Sequence, residues 1–196
     1  IKLSSKSYLD SNGETEAHCK TNQLKNTNEG LILLSGNHHG LFGKLFKQNK
    51  LKQIEETTKE LKNIFRDRFY LEIQRHNEPG EENYENFIIK ISETNQIPLI
   101  ATQEVFYLKK DMYEAHDALI CIGEKNFVDD PNRVKFSDQH FIKKNEDIAS
   151  LFKDIPEALE NNYNFPYRFD FKPKKSPPVL PTIKTEENIT VEDELL

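Results

Sequence analysis

The middle of the chain alternates short apolar runs with amphipathic stretches. The apolar runs lie at Leu31–Leu34, Phe69–Ile73 and Pro98–Thr102. Turn residues bound them, as at Ser35-Gly36. Short runs of this kind are typical of strands buried in a parallel sheet. The pattern therefore predicts an α/β fold in which strands and helices alternate.

Apolar residues at steps of three and four predict the helices between and after these strands. The predicted helices cover residues 51–65, 84–95, 112–123 and 145–152, and a further helix opens at Ile155-Pro156. Thr21–Asn28 is rich in amides and is either a loop or a weak helix. The alternation of elements places the carboxyl ends of the strands near residues 35–39, 74–77 and 103–106.

The composition changes after Phe165, where prolines and lysines become frequent. Proline-rich chains are extended spacers, so Lys172–Thr185 is predicted to be a linker. The last residues, 189–196, resemble the start of a helix. We therefore divide the chain into a folded domain, residues 1–168, and a linker region, residues 169–196.

Charge and composition exclude several classes of protein. The 196 residues are 36% hydrophobic and 31% charged, with a net charge of −6. An acidic chain gains no general affinity for DNA from its overall field. No apolar run approaches the ~20 residues of a membrane helix. Two cysteines form no disulfide framework, which favours a reducing cytoplasm.

The strand ends hold the candidate functional residues, because parallel folds bind ligands there. Glu72, His76 and Glu104 could form an acid–base or metal site, although a strand glutamate often faces solvent. Phe106 stands where an imidazole would have completed the set. His38 and His39 are adjacent, so we expect them to point to different sides as solvated loop residues and not to share a metal.

Other candidates have simpler interpretations. His116 lies on the apolar face of its helix and is expected to be a core histidine bonded to the backbone. Cys121 is expected to be a small buried hydrophobe. Cys19 beside His18 is conceivable as a nucleophile pair, but adjacency in sequence is not the geometry that such catalysis needs. The basic stretch Lys44–Arg75 is expected to be a solvated helix face, with a nucleic-acid or partner patch as the alternative.

Several long motifs resemble the PHP (polymerase and histidinol phosphatase) domain of bacterial DNA polymerase III alpha subunits. The second strand, Arg68–His76, is similar to the family's "RFYLELQRH", and Glu114–Gly123 is similar to its "AHDALLCIG" helix. The other matching segments, which follow the family order, are Gly30–Gly36 ("EGLI-LSG"), Pro98–Val105 ("PLVATNDV"), Leu151–Asn161 ("LFADIPEALENT") and Pro178–Pro181 ("PxLP").

The resemblance implies a fragment of a replicative DNA-directed DNA polymerase, a nucleotidyltransferase. Its domain would be part of a distorted (β/α)7 PHP barrel, lacking the first strands and their His-x-His metal motif, followed by the proline-rich linker into the polymerase core. The Mg²⁺ used for DNA synthesis would belong to the palm of the parent chain. The resemblance therefore implies no catalytic residue in this segment.

Three positions depart from the family's metal ligands. Asn37 replaces a cysteine after "LSG", and Glu104-Val105-Phe106 replaces Asp-x-His. Since asparagine is a poor zinc ligand and phenylalanine is none, we expect no metal in this segment and no phosphoesterase activity. The family then implies a scaffold that docks the proofreading exonuclease, within a holoenzyme that contacts DNA through the parent chain.

Two alternatives stay open at this point. One is an active, metal-dependent PHP phosphoesterase or 3′–5′ exonuclease. The other is a free-standing binding protein that uses its basic helix. The sequence indicates no particular docking surface.

Overall fold

The computed structural model describes residues 1–11 and 16–178. Its first compact unit comprises Ile1–Pro166. The helices are α1 (Lys2–Ser11), α2 (Thr21–Thr27), α3 (Leu41–Lys47), α4 (Leu51–Phe65), α5 (Glu81–Asn95), α6 (Tyr113–Glu124), α7 (Asn145–Leu151) and α8 (Pro156–Asn164). The strands are β1 (Leu33–Leu34), β2 (Phe69–Ile73) and β3 (Leu99–Ala101), and short 3-10 turns occupy Arg66–Arg68, Lys110–Met112 and Phe165–Arg168.

The strands form a parallel sheet in the order β1-β2-β3. Leu33 pairs with Phe69 on one side of β2, and Leu71 pairs with Leu99 on the other. The predicted α/β class with a parallel sheet is confirmed, although β1 and β3 are shorter than their apolar runs. A single parallel bridge, Tyr107 to Phe141, lies beyond the carboxyl end of β3.

The core lies between the sheet and the helices that the periodicity predicted. In α4 the buried residues are Ile54, Thr58, Leu61 and Phe65, which form the expected stripe. Its first member, Leu51, lies outside the core and is 38% exposed. The largest fully buried apolar side chains are Phe42, Ile54, Phe65, Phe69, Leu71, Ile88 and Phe152. This packing fixes the strand ends relative to the helices that follow them.

Helix α3 was not predicted, and a glycine explains both its position and the missing signal. Glycine weakens an isolated helix, so the segment 41–47 has little intrinsic preference. A Cβ at Gly43 would lie 2.0 Å from the carbonyl oxygen of His38. Only glycine therefore allows α3 to pack against the loop that carries His38.

The outer edge of β3 is covered by side chains of α8. Asn162 accepts the N–H of Ala101 through Oδ1 at 3.1 Å, and its amide group donates to the carbonyl of the same residue. Asn161 donates to the carbonyl of Leu99 at 2.7 Å. The two amides thus replace the hydrogen bonds that a further strand would have made on this edge.

Helix α6 buries a different face from the predicted apolar stripe. Its buried residues are Asp117 and Cys121, whereas Leu119 is 64% exposed. Asp117 receives two hydrogen bonds from Arg133, at 2.6 and 2.7 Å. This ion pair buries the side chain of Asp117, and a pattern of apolar residues cannot predict the burial of a charged one. The predicted burial of Cys121 is confirmed.

The second unit comprises Tyr167–Leu196. Its residues 169–178 contain no helix or strand. Part of the predicted linker, residues 179–185, and the predicted helix start at 189–196 lie outside the described residues. The boundary at residue 168 stays a prediction. Among the helices of the described ranges, none is both long and apolar enough to span a membrane.

Candidate functional site

A network of polar side chains joins the carboxyl ends of the three strands. The amide of Gln74 donates to Glu72 at 3.0 Å and to Thr102 at 2.8 Å, and Thr102 in turn donates to Glu72. Asn37 donates to the carbonyl oxygen of the Gln74 amide at 2.8 Å. Glu72 therefore faces inward and is partly buried, which corrects the expectation of a solvent-facing strand glutamate.

A buried carboxylate, Glu78, lies in the loop after β2 and gathers three histidines. His39 Nε2 lies 2.7 Å and His38 Nε2 3.2 Å from Oε2, and His140 Nε2 lies 3.0 Å from Oε1. The Glu78 side chain is 7% exposed. Burial alone would raise the pKa of this carboxyl, but the hydrogen bonds from the histidines outweigh burial and hold the pKa well below its ordinary value.

The adjacent histidines converge, so the expectation that they point apart as solvated loop residues is wrong. Their ring centroids are 3.8 Å apart. The side chain of His38 is 5% exposed and that of His39 is 47% exposed. The loop bends after Gly36, whose positive φ of 79° suits glycine, and both imidazoles then reach Glu78. The usual divergence of neighbouring side chains holds for extended strands and not for such a turn.

His140 is buried between two acceptors. Its Nδ1 lies 3.2 Å from the carbonyl oxygen of Glu104, and its Nε2 lies 3.0 Å from Glu78. A neutral imidazole has one N–H, so only one of these two contacts is an ordinary hydrogen bond. The other contact requires a second proton or a cation shared with the carboxylate.

His76 forms a neighbouring pair with Glu81. The backbone N–H of Glu104 donates to His76 Nε2 at 3.2 Å, so the ring proton is on Nδ1, which lies 3.4 Å from the Glu81 carboxylate. Burial would raise the pKa of Glu81, but the bonds from the His76 ring and backbone hold it below its ordinary value. The His76 and His140 rings are stacked at 4.2 Å.

Phe106 completes this aromatic stack. Its ring lies 4.7 Å from that of His140 and 5.1 Å from that of His116, nearly parallel to both. Glu104, two residues earlier, uses its backbone in the site, as described for His76 and His140. Of the predicted trio, the structure joins His76 to Glu104 through the backbone N–H of Glu104, whereas the Glu72 carboxylate bonds to Gln74 and Thr102.

The family positions and the histidine cluster differ in their capacity to hold a metal. The side chain of Asn37 bonds to Gln74 and accepts the N–H of His39 at 3.0 Å, and Phe106 offers only a carbon ring. These positions do not fit a transition metal. His38, His39 and Glu78 do fit one, because their ligand atoms all lie within 4.8 Å of one another.

An acidic cleft of ≈ 550 Å³ opens beside Glu78. Its lining includes Glu81, Glu82 and Glu85. Arg75 supplies a positive charge on the wall, but that charge is already paired with Glu85 and Asp154. The cleft therefore attracts cations and repels phosphate groups.

Sequence reasoning missed Glu78, Glu81 and His140. The first two lie close after the end of β2, in and after a turn that contains Pro79-Gly80, so position relative to a strand end was an available signal. His140 lies in an irregular segment 62 residues beyond Glu78, and nothing local marks it.

The remaining candidates lie apart from this cluster. His116 is partly buried, and its Nδ1 has no hydrogen-bond partner among the described residues, so the expected backbone bond is absent there. Cys19 is exposed and contacts the carbonyl of Leu3, whereas His18 contacts that of Glu16. In α4, Lys52 and Lys59 are exposed as predicted, whereas Lys62 is partly buried and donates to the carbonyl of Asn95.

Comparison with known proteins points to one family. Residues 1–76 match the PHP domain. The chain is 37% identical over 187 residues to the DNA polymerase III subunit alpha of Rickettsia bellii, which covers 95% of this chain and 16% of that relative. It is 35% identical over 194 residues to the subunit of the same name in Caulobacter vibrioides, covering 99% of this chain and 17% of the relative.

A third relative, the DNA polymerase III subunit alpha of Pseudomonas fluorescens, is 32% identical over 193 residues. Its match covers 98% of this chain and 16% of the relative. The chain thus spans about a sixth of the length of these curated relatives.

Proposed function

Because this chain belongs to the family of bacterial DNA polymerase III alpha subunits, we propose that it forms the PHP region of a replicative DNA polymerase. In this proposal the region is a scaffold without phosphoesterase activity, and it docks the proofreading exonuclease. The strands belong to an incomplete (β/α)7 barrel, and the proline-rich region after residue 168 leads toward the polymerase core.

The observation that carries the proposal is the use of the family's ligand positions for internal contacts. Asn37 bonds to Gln74 and to the backbone of His39. Phe106 stacks between His116 and His140. Side chains engaged in this way stabilise the strand ends and leave no vacant ligands for a catalytic pair of metal ions. The acidic cleft, which repels phosphate esters, further supports a structural role.

The activity proposed for the parent polymerase is inferred from the relatives. DNA-directed DNA synthesis would occur in the palm of the parent chain, with Mg²⁺ held there by aspartates outside this segment. DNA and the other holoenzyme subunits would be bound by the assembled polymerase in the cytoplasm.

An active PHP phosphoesterase or 3′–5′ exonuclease is the second candidate. The observation that favours it is the group formed by His38, His39 and Glu78, which has the spacing of metal ligands and lies beside an open cleft. A metal ion at this position would reverse the local charge and would draw phosphate toward the cleft.

One set of measurements separates the two candidates. The full-length protein is mixed with the exonuclease subunit in a calorimeter, and hydrolysis of 3′-labelled single-stranded DNA is followed with Mn²⁺ or Zn²⁺. We expect a stable complex, and no hydrolysis by the full-length protein alone. Absence of a complex would contradict the docking role. Hydrolysis that disappears in His39→Gln but persists in His18→Gln, an exposed histidine outside the cluster, would establish the second candidate.

A further inference from the structure

We propose that His38, His39 and Glu78 bind one divalent transition-metal ion of the zinc class, at a position separate from the family's ligands. The donors come from the loop after β1 and the loop after β2, and His140, from the segment beyond β3, contacts the second oxygen of Glu78. The site therefore ties together the three segments at the carboxyl end of the sheet. The proposal revises the expectation that this segment holds no metal.

The distances suit a single small cation. Donor atoms bound to one tetrahedral zinc are about 3.3 Å apart, given bond lengths of about 2.0–2.1 Å. Glu78 Oε2 lies 3.2 Å from His38 Nε2 and 2.7 Å from His39 Nε2. A small outward movement of these groups would therefore admit the ion without any change in the course of the chain.

His140 orients the carboxylate through its second oxygen. Its Nε2 lies 3.0 Å from Glu78 Oε1, whereas His38 and His39 face Oε2. Ligating carboxylates commonly have such outer hydrogen-bond partners, which fix their orientation at the metal. The contact therefore holds Glu78 Oε2 toward the two histidines that would bind the ion.

Charge and access agree with cation binding. One carboxylate with two imidazoles is a donor set preferred by zinc and its neighbours over magnesium or calcium. The acidic cleft adjoins Glu78. His39, which is 47% exposed, provides the entrance. The site is thus a partly closed one that an ion can reach from solvent.

Lys47 lies close enough to His39 for its charge to affect metal binding. Its ammonium lies 3.4 Å from His39 Nδ1. When His39 binds a metal through Nε2, Nδ1 carries the proton and no longer accepts this contact. Lys47 is exposed and can swing into solvent, but its positive charge opposes the incoming cation. Removal of that charge should therefore strengthen metal binding.

The test uses Co²⁺ as an optical substitute for zinc. The full-length protein, stripped of metal, is titrated with Co²⁺ while d–d absorption and the thermal midpoint are recorded. We compare it with His39→Gln, with Lys47→Gln and with His18→Gln, an exposed histidine outside the cluster. Because any other metal sites of the full-length protein are common to all four samples, the difference between samples isolates this cluster.

We expect one Co²⁺ equivalent to be lost or weakened by about tenfold or more in His39→Gln. It should be unchanged in His18→Gln and several-fold tighter in Lys47→Gln. Bound metal should raise the thermal midpoint. Equal Co²⁺ spectra and affinities in His39→Gln and His18→Gln would overturn the proposal. DNA hydrolysis is scored separately, so failure here leaves the scaffold proposal standing.

Discussion

Arg75 binds the carboxylate of Asp154 through two parallel hydrogen bonds, each 2.7 Å long. The same guanidinium bonds to Glu85 in α5 and to the carbonyl of Leu151 at the end of α7. It also lies 4.9 Å from the centre of the Phe152 ring. One side chain just after β2 therefore connects the sheet to α5 and to the carboxyl end of α7.

Replacement of Arg75 should destabilise the fold. We expect Arg75→Ala to lower the free energy of unfolding by about 2–4 kcal/mol, because Glu85 is left buried without its partner. Urea denaturation followed by circular dichroism measures the change. Lys59→Ala, at an exposed position of α4, is the control and should alter stability by less than about 0.5 kcal/mol. An equally small effect of Arg75→Ala would show that the contacts of Arg75 do not stabilise the fold.

The Arg75–Asp154 pair also predicts a pH dependence. Hydrogen bonds from Arg75 lower the pKa of Asp154 from 3.8 to about 2. A carboxyl whose pKa is lower in the folded state than in the unfolded state stabilises the fold at pH values above its unfolded pKa. This stabilisation is lost as the pH falls from 3.8 toward about 2. Asp154→Asn should therefore be less stable than the parent at pH 6, by a small amount since the side chain is 55% exposed.

The two proteins should approach equal stability near pH 2. Thermal melts at several pH values provide the comparison. A stability difference that stays constant across this range would show that the Asp154 charge is not responsible.

Stacking of Phe106 on two histidines gives another prediction. Phe106→Ala removes ring contacts at 4.7 and 5.1 Å and should cost about 1–2 kcal/mol of stability. Phe127, which is 79% exposed, offers a matched control, and Phe127→Ala should have little effect. Chemical denaturation of both variants tests the difference. Equal effects would mean that the stack contributes nothing beyond apolar area.

The amide cover of β3 can be tested at a single side chain. Asn162→Ala leaves the N–H and carbonyl of Ala101 unpaired in a residue that is 3% exposed. The loss should be about 2–4 kcal/mol, with faster aggregation as the strand edge becomes free to pair. Asn164→Ala, at an exposed position of the same helix, is the control. Light scattering and unfolding curves that match between the two variants would refute the covering role.

The apolar pattern predicted much of the fold because β2 is buried on both faces, and α4 and α5 each bury one regular face. The same reasoning failed for α6, where the ion pair between Asp117 and Arg133 turns a charged residue inward. It also failed for α3, since a helix that depends on tertiary contact leaves a weak local pattern. Regular elements were thus predictable, and elements defined by a single specific contact were not.

The location of the candidate site could be predicted from the sequence, but several of the residues that form it could not. Strand ends located Glu72 and His76 correctly, because parallel strands bring their carboxyl ends together. Glu78 and His140 meet across 62 residues, through an irregular segment whose course depends on packing. The direction of His38 depends on a turn conformation that residue spacing does not encode.

The contact between Gly43 and His38 has an evolutionary consequence. Any side chain at position 43 would overlap the backbone of His38, so the loop after β1 can follow its observed course only with glycine there. A related sequence with a larger residue at this position must route the loop after β1 differently, and its histidines could not gather around the equivalent of Glu78. Glycine at position 43 is therefore a necessary condition for this histidine arrangement in a relative, but the glycine alone does not identify the arrangement.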